Sequence, residues 1–530
     1  MATSRRLMPA QYGLCICLYL LGAPPIFEAA KILIIPFGSK SHLIEGVSIG
    51  SGLLRQGHDV YLMMDKAAKL PNGLIHQDIK KIYFEPENTD PERVERKNGR
   101  TMFTGHSENT ASVIGVLRER INAYCKGLIY NTELITKLQE KKFDIAVVDG
   151  LTHCLFLVPY KLGIPYIGWT NFVRPWDLRL HPIITSFPCK MRSETNTLLT
   201  RMMQFGISVI THTLPNELYD EELFKDVVPE RPYTSVVDVA LHSKLWLLNT
   251  DNILDCPRPS LPNIIYVGGL NVRPGRRLPE DIYDFVEKAP DGTILVSFGS
   301  MMVTPPVEVI RKFVETFAML EHNVIWRLKL PDNVTIKFPK NVKIVDWLPQ
   351  NDILASRNVR LFITHCGNNG QSEAIYHGVP MLGFPLHSQQ PYNGKRMEVK
   401  GYGLKMNIRS FTAKEMHDKI KEIISNEQFY KTIHKASAIF QSRPHPQDLA
   451  AYWIDHVIKF GADHLQTSAN DMSAFQFTMF DIFAVLVLVV ILLLIGLKFM
   501  VSYLMDKLWP DLNVIKDKLD NMDLEWKKSS

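Results

Sequence analysis

At 530 residues the chain is long enough for two or three ordinary domains, and 46% apolar against 22% charged residues is a globular balance. The net charge of +5 comes with no block of consecutive basic residues, so nothing in it calls for nucleic acid as a partner. Seven cysteines lie without CxxC or Cys/His spacing, which leaves no expectation of a disulfide framework or a structural zinc site.

Arg5 and Arg6 precede an apolar run over residues 14–23, and the small Ala29 and Ala30 follow. That order reads as a secretory signal peptide over residues 1–29. From Lys31 short apolar runs alternate with helical stretches: strands at 31–36, 59–64, 143–148 and 164–169, and a helix at 44–56. Residues 174–223 break the pattern and read as helices and loops lining a pocket. A linker rich in Gly, Pro and Arg is expected over 271–288. A second alternation follows, with strands at 293–297, 323–328, 342–345, 359–364 and 380–384 and a helix at 305–320. Both halves, 30–270 and 289–465, therefore read as doubly wound α/β domains, Rossmann-like, facing each other across a cleft at the carboxyl ends of their strands.

The last part of the chain has a different character. Residues 482–504 form an apolar run interrupted only by Lys498, about the 20 residues that cross a bilayer as a helix. Lysines follow the run and are missing from 461–481 before it, so the positive-inside rule puts the tail 505–530 in the cytosol and the body in the lumen. The chain ends Lys527-Lys528-Ser529-Ser530, which resembles the di-lysine retrieval signal of endoplasmic-reticulum membrane proteins. A single-pass type I protein of that membrane is expected. Asn333-Val334-Thr335 is a candidate glycosylation sequon.

Two loops carry the chemistry. In the second half a strand runs into His365-Cys366-Gly367-Asn368-Asn369-Gly370, and a helix is expected to begin near Gln371. Backbone amides at such a helix start favour a phosphate, and glycines let it approach. Ser297-Phe298-Gly299-Ser300 repeats the arrangement on the first strand of that domain, so two loops can converge on one diphosphate. In the first half Ser41-His42 follows the first strand as a loop, and Asp149 closes the strand at 143–148. Asp144, at that strand's other end, is the competing carboxylate.

The run Asp346-Trp347-Leu348-Pro349-Gln350, then Thr364-His365, Asn369-Gly370, and Glu373 through Pro380, closely resembles the sugar-nucleotide box of the UDP-glycosyltransferase family. The resemblance extends from Lys31 to the tail. It implies the two-domain GT-B architecture, with a helix near 444–465 crossing back to the first domain. By the same resemblance Trp347 stacks on uracil, and Gln350 and Glu373 hold the ribose hydroxyls. His365 with the loop of Gly367, Asn369 and Gly370 holds the diphosphate, which the second loop reaches through Ser300, and Gln389 and Gln390 stand where the family binds the sugar. His42 is then the general base and Asp149 its partner. The implied substrates are a UDP-sugar and a small lipophilic acceptor, with inversion to a β-glycoside. With no DxD triplet in the chain, neither metal nor cofactor is expected, and self-association is left open. Three positions depart from the family pattern. His365-Cys366-Gly367 replaces His-Gly-Gly, and Gln389-Gln390-Pro391-Tyr392-Asn393 replaces Asp-Gln followed by Asp-Asn. These departures sustain a second reading, a catalytically weak UDP-sugar-binding homologue.

Overall fold

The computed structural model describes residues 29–66, 75–85, 110–171, 219–229, 234–258, 260–299, 304–331, 334–386 and 389–529, with a few single positions between 199 and 231. The expected signal peptide, most of 174–223, Ser300 and Asn333 lie outside the described residues. The chain forms two compact units, Met1–Thr467 and Ser468–Ser530.

The first unit holds two parallel sheets. The strands of the first are β1 (Lys31–Ile35), β2 (Asp59–Asp65), β3 (Lys80–Phe84), β4 (Ile145–Asp149), β5 (Tyr166–Thr170), β6 (Trp246–Leu248) and β7 (Ile264–Tyr266), in the order β3-β2-β1-β4-β5-β6-β7. Those of the second are β8 (Thr293–Ser297), β9 (Asn323–Arg327), β10 (Val342–Val345), β11 (Val359–Thr364), β12 (Met381–Gly383) and β13 (Gly403–Lys405), in the order β10-β9-β8-β11-β12-β13. Lys-Ile-Leu-Ile-Ile in β1 and Ile-Ala-Val-Val-Asp in β4 are continuous apolar runs because helices cover both faces. Each sheet reverses its winding beside its first strand, between β1 and β4 and between β8 and β11, and ligands of such sheets lie outside the carboxyl ends at that point.

The helices that matter for the site are α1 (Lys40–Arg55), α2 (Thr110–Ile129), α3 (Val307–Ala318), α4 (Gln350–Leu354), α5 (Asn368–His377), α6 (Gln390–Lys400) and α7 (Pro446–Phe460). Although α7 follows the second sheet, its Ala450, Ala451, Ile454 and Val457 pack with Ile32 and Ile34 of the first and with Leu53 of α1. Gly52 leaves room for this: a Cβ there would strike the Gln447 carbonyl oxygen. Arg55 adds an ion pair to Asp448, and His58 Nε2 lies 3.2 Å from Asp455 Oδ1.

Several sequence expectations need correction. Helix α1 starts at Lys40 rather than at 44, so His42 sits in its first turn and not in a loop. Helix α5 starts at Asn368 rather than near Gln371, which puts Asn368, Asn369 and Gly370 themselves at the helix N-terminus. Strands β6, β7 and β13, of three residues each, are too short to announce themselves by periodicity. One disulfide that no spacing suggests joins Cys125 of α2 to Cys154 just beyond β4, and Cys256 is disulfide-bonded as well.

The second unit is dominated by one helix, α8 (Phe480–Ser529), which runs from the apolar stretch expected at 482–504 without a break through the tail. It is the one helix among the described residues long and apolar enough to cross a membrane, and none of its apolar window is buried.

Candidate active site

The first-domain half of the site is built by β1, α1 and β4. Ser39 caps α1 with an extended backbone, and the helix carries His42 inward from its first turn. The His42 Nδ1–H donates to Asp149 Oδ2 at 2.6 Å. Asp149, the last residue of β4, is fully buried. It also accepts from the Phe37 amide at 3.0 Å and, through Oδ1, from the Leu151 amide at 2.9 Å. With Nδ1 committed to Asp149, Nε2 is the nitrogen left to take a proton. Asp144 accepts from the Lys31 amide at the opposite end of the sheet and is not part of the site.

Burial by itself would lower the His42 imidazole, but the charge and hydrogen bond of Asp149, helped by Glu45, outweigh it and raise its pKa from 6.5 to about 9. Glu45 is the residue that sequence reading missed. It lies three positions after His42 on the same face of α1 and is fully buried. Its carboxylate accepts from Trp169 Nε1 at 3.2 Å and from Asn369 Nδ2 of the second domain at 2.7 Å. Burial raises its pKa, with Asp149 adding to the shift and His42 opposing it. A carboxylate among Leu43, Val47 and Ile49 was the available signal, since acids are rarely fully buried unless paired.

The second-domain half is built mainly on backbone groups by contrast. Gly367 caps α5 without a side-chain bond, so the amides of the first turn point outward from the helix end. The His365 ring lies between two glycines. A Cβ on Gly299 would come within 2.7 Å of its Cε1, and one on Gly367 within 2.5 Å of its Nε2. Gly299 also has φ +77°. Asn368 donates to the Asn249 carbonyl at 2.7 Å and accepts from the buried Arg396 at 2.8 Å, which fixes the loop from behind.

Gln350 Nε2 donates to Glu373 Oε2 at 2.6 Å, and Asn271 donates to the other oxygen at 2.8 Å. Burial pushes Glu373 up to about 7 against these hydrogen bonds. A Cβ on Gly370 would stand 3.4 Å from Gln350 Nε2, so this group adjoins the phosphate loop. Trp347 is 44% exposed, so part of its indole is open to solvent, and the Arg327 guanidinium lies 5.0 Å over its ring. Among the described residues no cluster of His, Cys, Asp or Glu is placed to hold a metal ion.

The three departures have local explanations. Cys366 sits at φ +64°, the left-handed region where glycine is easiest, and its buried sulfur packs beside Gly383 and Gly394. Burial pushes its thiol up to about 12. Tyr392 turns into the protein, its hydroxyl bonded to Asp255 and accepting from Arg258. Gln390 is buried and accepts from the Leu386 amide at 2.9 Å, bracing its own loop, while Gln389 precedes α6 and is partly exposed. Of the predicted residues, the structure thus brings His42, Asp149 and Asn369 together around Glu45, and Gln350, Glu373 and Gly370 together beside them.

Two parallel sheets whose switch points carry a histidine–aspartate pair on one side and a helix-capped glycine loop on the other match known proteins throughout. The family described as UDP-glucoronosyl and UDP-glucosyl transferase matches residues 30–510. The chain belongs to that family and is a UDP-glycosyltransferase. It is 30% identical over 512 residues to 2-hydroxyacylsphingosine 1-beta-galactosyltransferase of Mus musculus, covering 92% of this chain and 91% of that one. To UDP-glucuronosyltransferase 3A1 of Homo sapiens it is 31% identical over 500 residues, covering 90% and 94%. Among solved structures, a UDP-glucosyltransferase from Polygonum tinctorium aligns over 82% of this chain and 99% of its own with a TM-score of 0.58 at 16% identity. The calicheamicin glycosyltransferase CalG4 aligns over 82% and 100% with a TM-score of 0.55 at 14% identity. These likenesses establish the GT-B fold of the UDP-glycosyltransferase.

Proposed function

We propose that the chain transfers a hexose or hexuronic acid from a UDP-sugar to a hydroxyl of a small lipophilic acceptor, with inversion to the β-glycoside. The observation that carries this reading is the His42–Asp149 pair at 2.6 Å, set one turn from a carboxylate that touches the phosphate loop. His42 Nε2 takes the acceptor's hydroxyl proton, and the freed oxygen forms its bond to the anomeric carbon. The bond from that carbon to the diphosphate oxygen breaks, and its electron pair leaves with UDP. Asp149 keeps the imidazole in the required tautomer and stabilises the imidazolium. The amides that open α5, with His365, meet the charge on the leaving diphosphate. Trp347 takes the uracil on its exposed indole, and Glu373 and Gln350 take the ribose. Gln389 is the residue nearest in sequence to the family's sugar acids, and its lack of charge favours a neutral hexose.

The body is assigned to the endoplasmic-reticulum lumen, anchored by the span in α8 as a type I protein with a cytosolic tail. The Cys125–Cys154 disulfide supports an oxidising compartment, and the lysines after the span support the orientation. No metal and no cofactor beyond the UDP-sugar is part of this proposal.

The test uses membranes from cells expressing the chain and a His42→Ala control, given a panel of UDP-sugars without added metal and a mixture of phenolic and steroidal alcohols. Gain of one hexose or hexuronic acid mass that disappears in the control is the expected result. Retained UDP-sugar binding with no transfer from any donor would refute catalysis and leave a binding homologue.

A further inference from the structure

The tail beyond the expected span, which the sequence presents as a short addressed end, is helical to Ser529. Leu508, Leu512, Ile515, Leu519 and Met522 are all exposed on it, and Trp526 continues the series in the sequence. Their spacings of four and three alternate without a break, which is the seam of a heptad repeat: 508, 515 and 522 occupy d, and 512, 519 and 526 occupy a. Pro510, the one proline of α8, falls at the outward f position of its heptad.

We infer that this segment is a docking surface for a second copy of the same chain, forming a parallel coiled coil beneath the membrane. The flanking charges select that occupant. In a parallel pair the g residue of one helix meets the e residue five positions on in its partner. Here those meetings are Asp511 with Lys516 and Lys518 with Asp523, opposite in sign in both heptads. Identical chains sharing one membrane orientation can only pair in parallel, and tethering in the bilayer raises the effective concentration that a three-heptad seam needs. A helix lying on the membrane is the other use of an amphipathic segment, and it wants a basic polar face against anionic lipid. Residues 505–530 instead carry six acids against five lysines, two of them at the extreme end. The inference is independent of the transfer reaction and rests on the single span proposed above only for the parallel arrangement.

The test is oxidative cross-linking in intact membranes of the full-length chain carrying Ile515→Cys at d or Asp517→Cys at f. A paired seam gives at least about five-fold more cross-linked dimer at 515 than at 517, because only the d position faces its partner. Equal yields, a higher yield at 517, or no cross-link at 515 would overturn it, the second being the mark of a helix lying on lipid. A second arm adds charge reversals to the 515 cysteine. The double change Lys516→Asp, Lys518→Asp makes both g–e′ meetings acidic against acidic, and Asp511→Lys, Asp523→Lys makes both basic against basic. Each alone should lose the cross-link, and differently tagged copies of the two, expressed together, should regain it as the mixed species. Reversals that leave the yield unchanged, or no recovery in the mixture, would overturn the charge-matched pairing. Lys527 and Lys528 stay intact throughout, and transfer activity reports an intact body.

Discussion

The two switch points use opposite chemistry. Beside β1 and β4 the working groups are ionisable and buried: His42, Asp149 and Glu45 lie within hydrogen-bonding or Coulombic reach of one another. Beside β8 and β11 the phosphate loop offers glycines, a helix end and the His365 ring, with a half-exposed indole and the amide-held Glu373 carboxyl beside it. The difference follows from the tasks. Moving a proton needs a group whose pKa can be set by its neighbours, whereas a dianionic leaving group is met mainly by fixed backbone donors. The sharpest way to break the comparison is to remove the charge from the first side only. Asp149→Asn keeps the shape of the carboxylate and loses its charge, so kcat should fall by about 10²–10⁴-fold, the usual worth of a positioned general base, while UDP binding is retained. Isothermal titration with UDP beside initial-rate assays measures both; a comparable loss of UDP affinity would show that the two sides are not separable.

The pH profile follows from the same geometry and should shift less in magnitude. Asp149 raises the His42 pKa to about 9, so the neutral imidazole that accepts a proton grows as pH rises from 6.5 toward that value. The kcat/KM of the wild-type chain should therefore climb across that window. In Asp149→Asn burial is no longer outweighed, and the remaining activity should level off at lower pH. The stability linkage has the complementary sign: the His42–Asp149 attraction contributes fully below the ordinary histidine pKa and is lost as pH rises through about 9.

Glu45 is where the two sides meet, and it tests whether the comparison is too clean. Removing it by Glu45→Ala deletes the 2.7 Å contact to Asn369 while leaving the His42–Asp149 bond in place. The KM for the UDP-sugar should rise by about ten-fold, the value of one charge-assisted hydrogen bond, with a smaller change in kcat. Glu45→Gln should recover part of the KM and still lower the pH at which activity rises, because the Glu45 charge helps to raise His42. A fall in kcat with an unchanged KM would instead place Glu45 with the proton-transfer group alone.

Much of this arrangement is legible in the amino-acid sequence. Long buried strands such as β8 and β11 are predicted to the residue, because runs like Thr-Ile-Leu-Val-Ser admit little else between polar neighbours. The His42–Asp149 pairing and the Gln350–Glu373 grouping both follow from the family resemblance, and both are present as hydrogen bonds. Contacts between elements far apart in the chain leave no such trace. Nothing local relates Glu45 to Asn369, Cys125 to Cys154, or Tyr392 to Asp255. Helix starts are misplaced for a related reason: α5 is capped by Gly367, which has no side chain to mark the position, and Ser39, the cap residue of α1, makes no side-chain bond and stands among other small polar residues.

The smallest effect is expected at Cys366, the position where this chain departs most visibly from the glycine of its family. If the loop holds the diphosphate through backbone and His365, the identity of residue 366 matters only for how easily the chain turns there. Its φ of +64° costs a non-glycine residue about 1 kcal/mol or more, whereas its sulfur fills space between Gly383 and Gly394 that glycine would leave open. The two terms oppose each other, so Cys366→Gly should change the melting temperature by no more than a few degrees. The UDP-sugar KM should stay within about three-fold, because the thiol faces the interior, is held neutral by burial, and contributes no charge to the phosphate loop. A KM that falls by ten-fold or more would mean that the cysteine side chain restrains the loop in a poorer binding geometry, and that the phosphate-loop side of the site is tuned through this one residue.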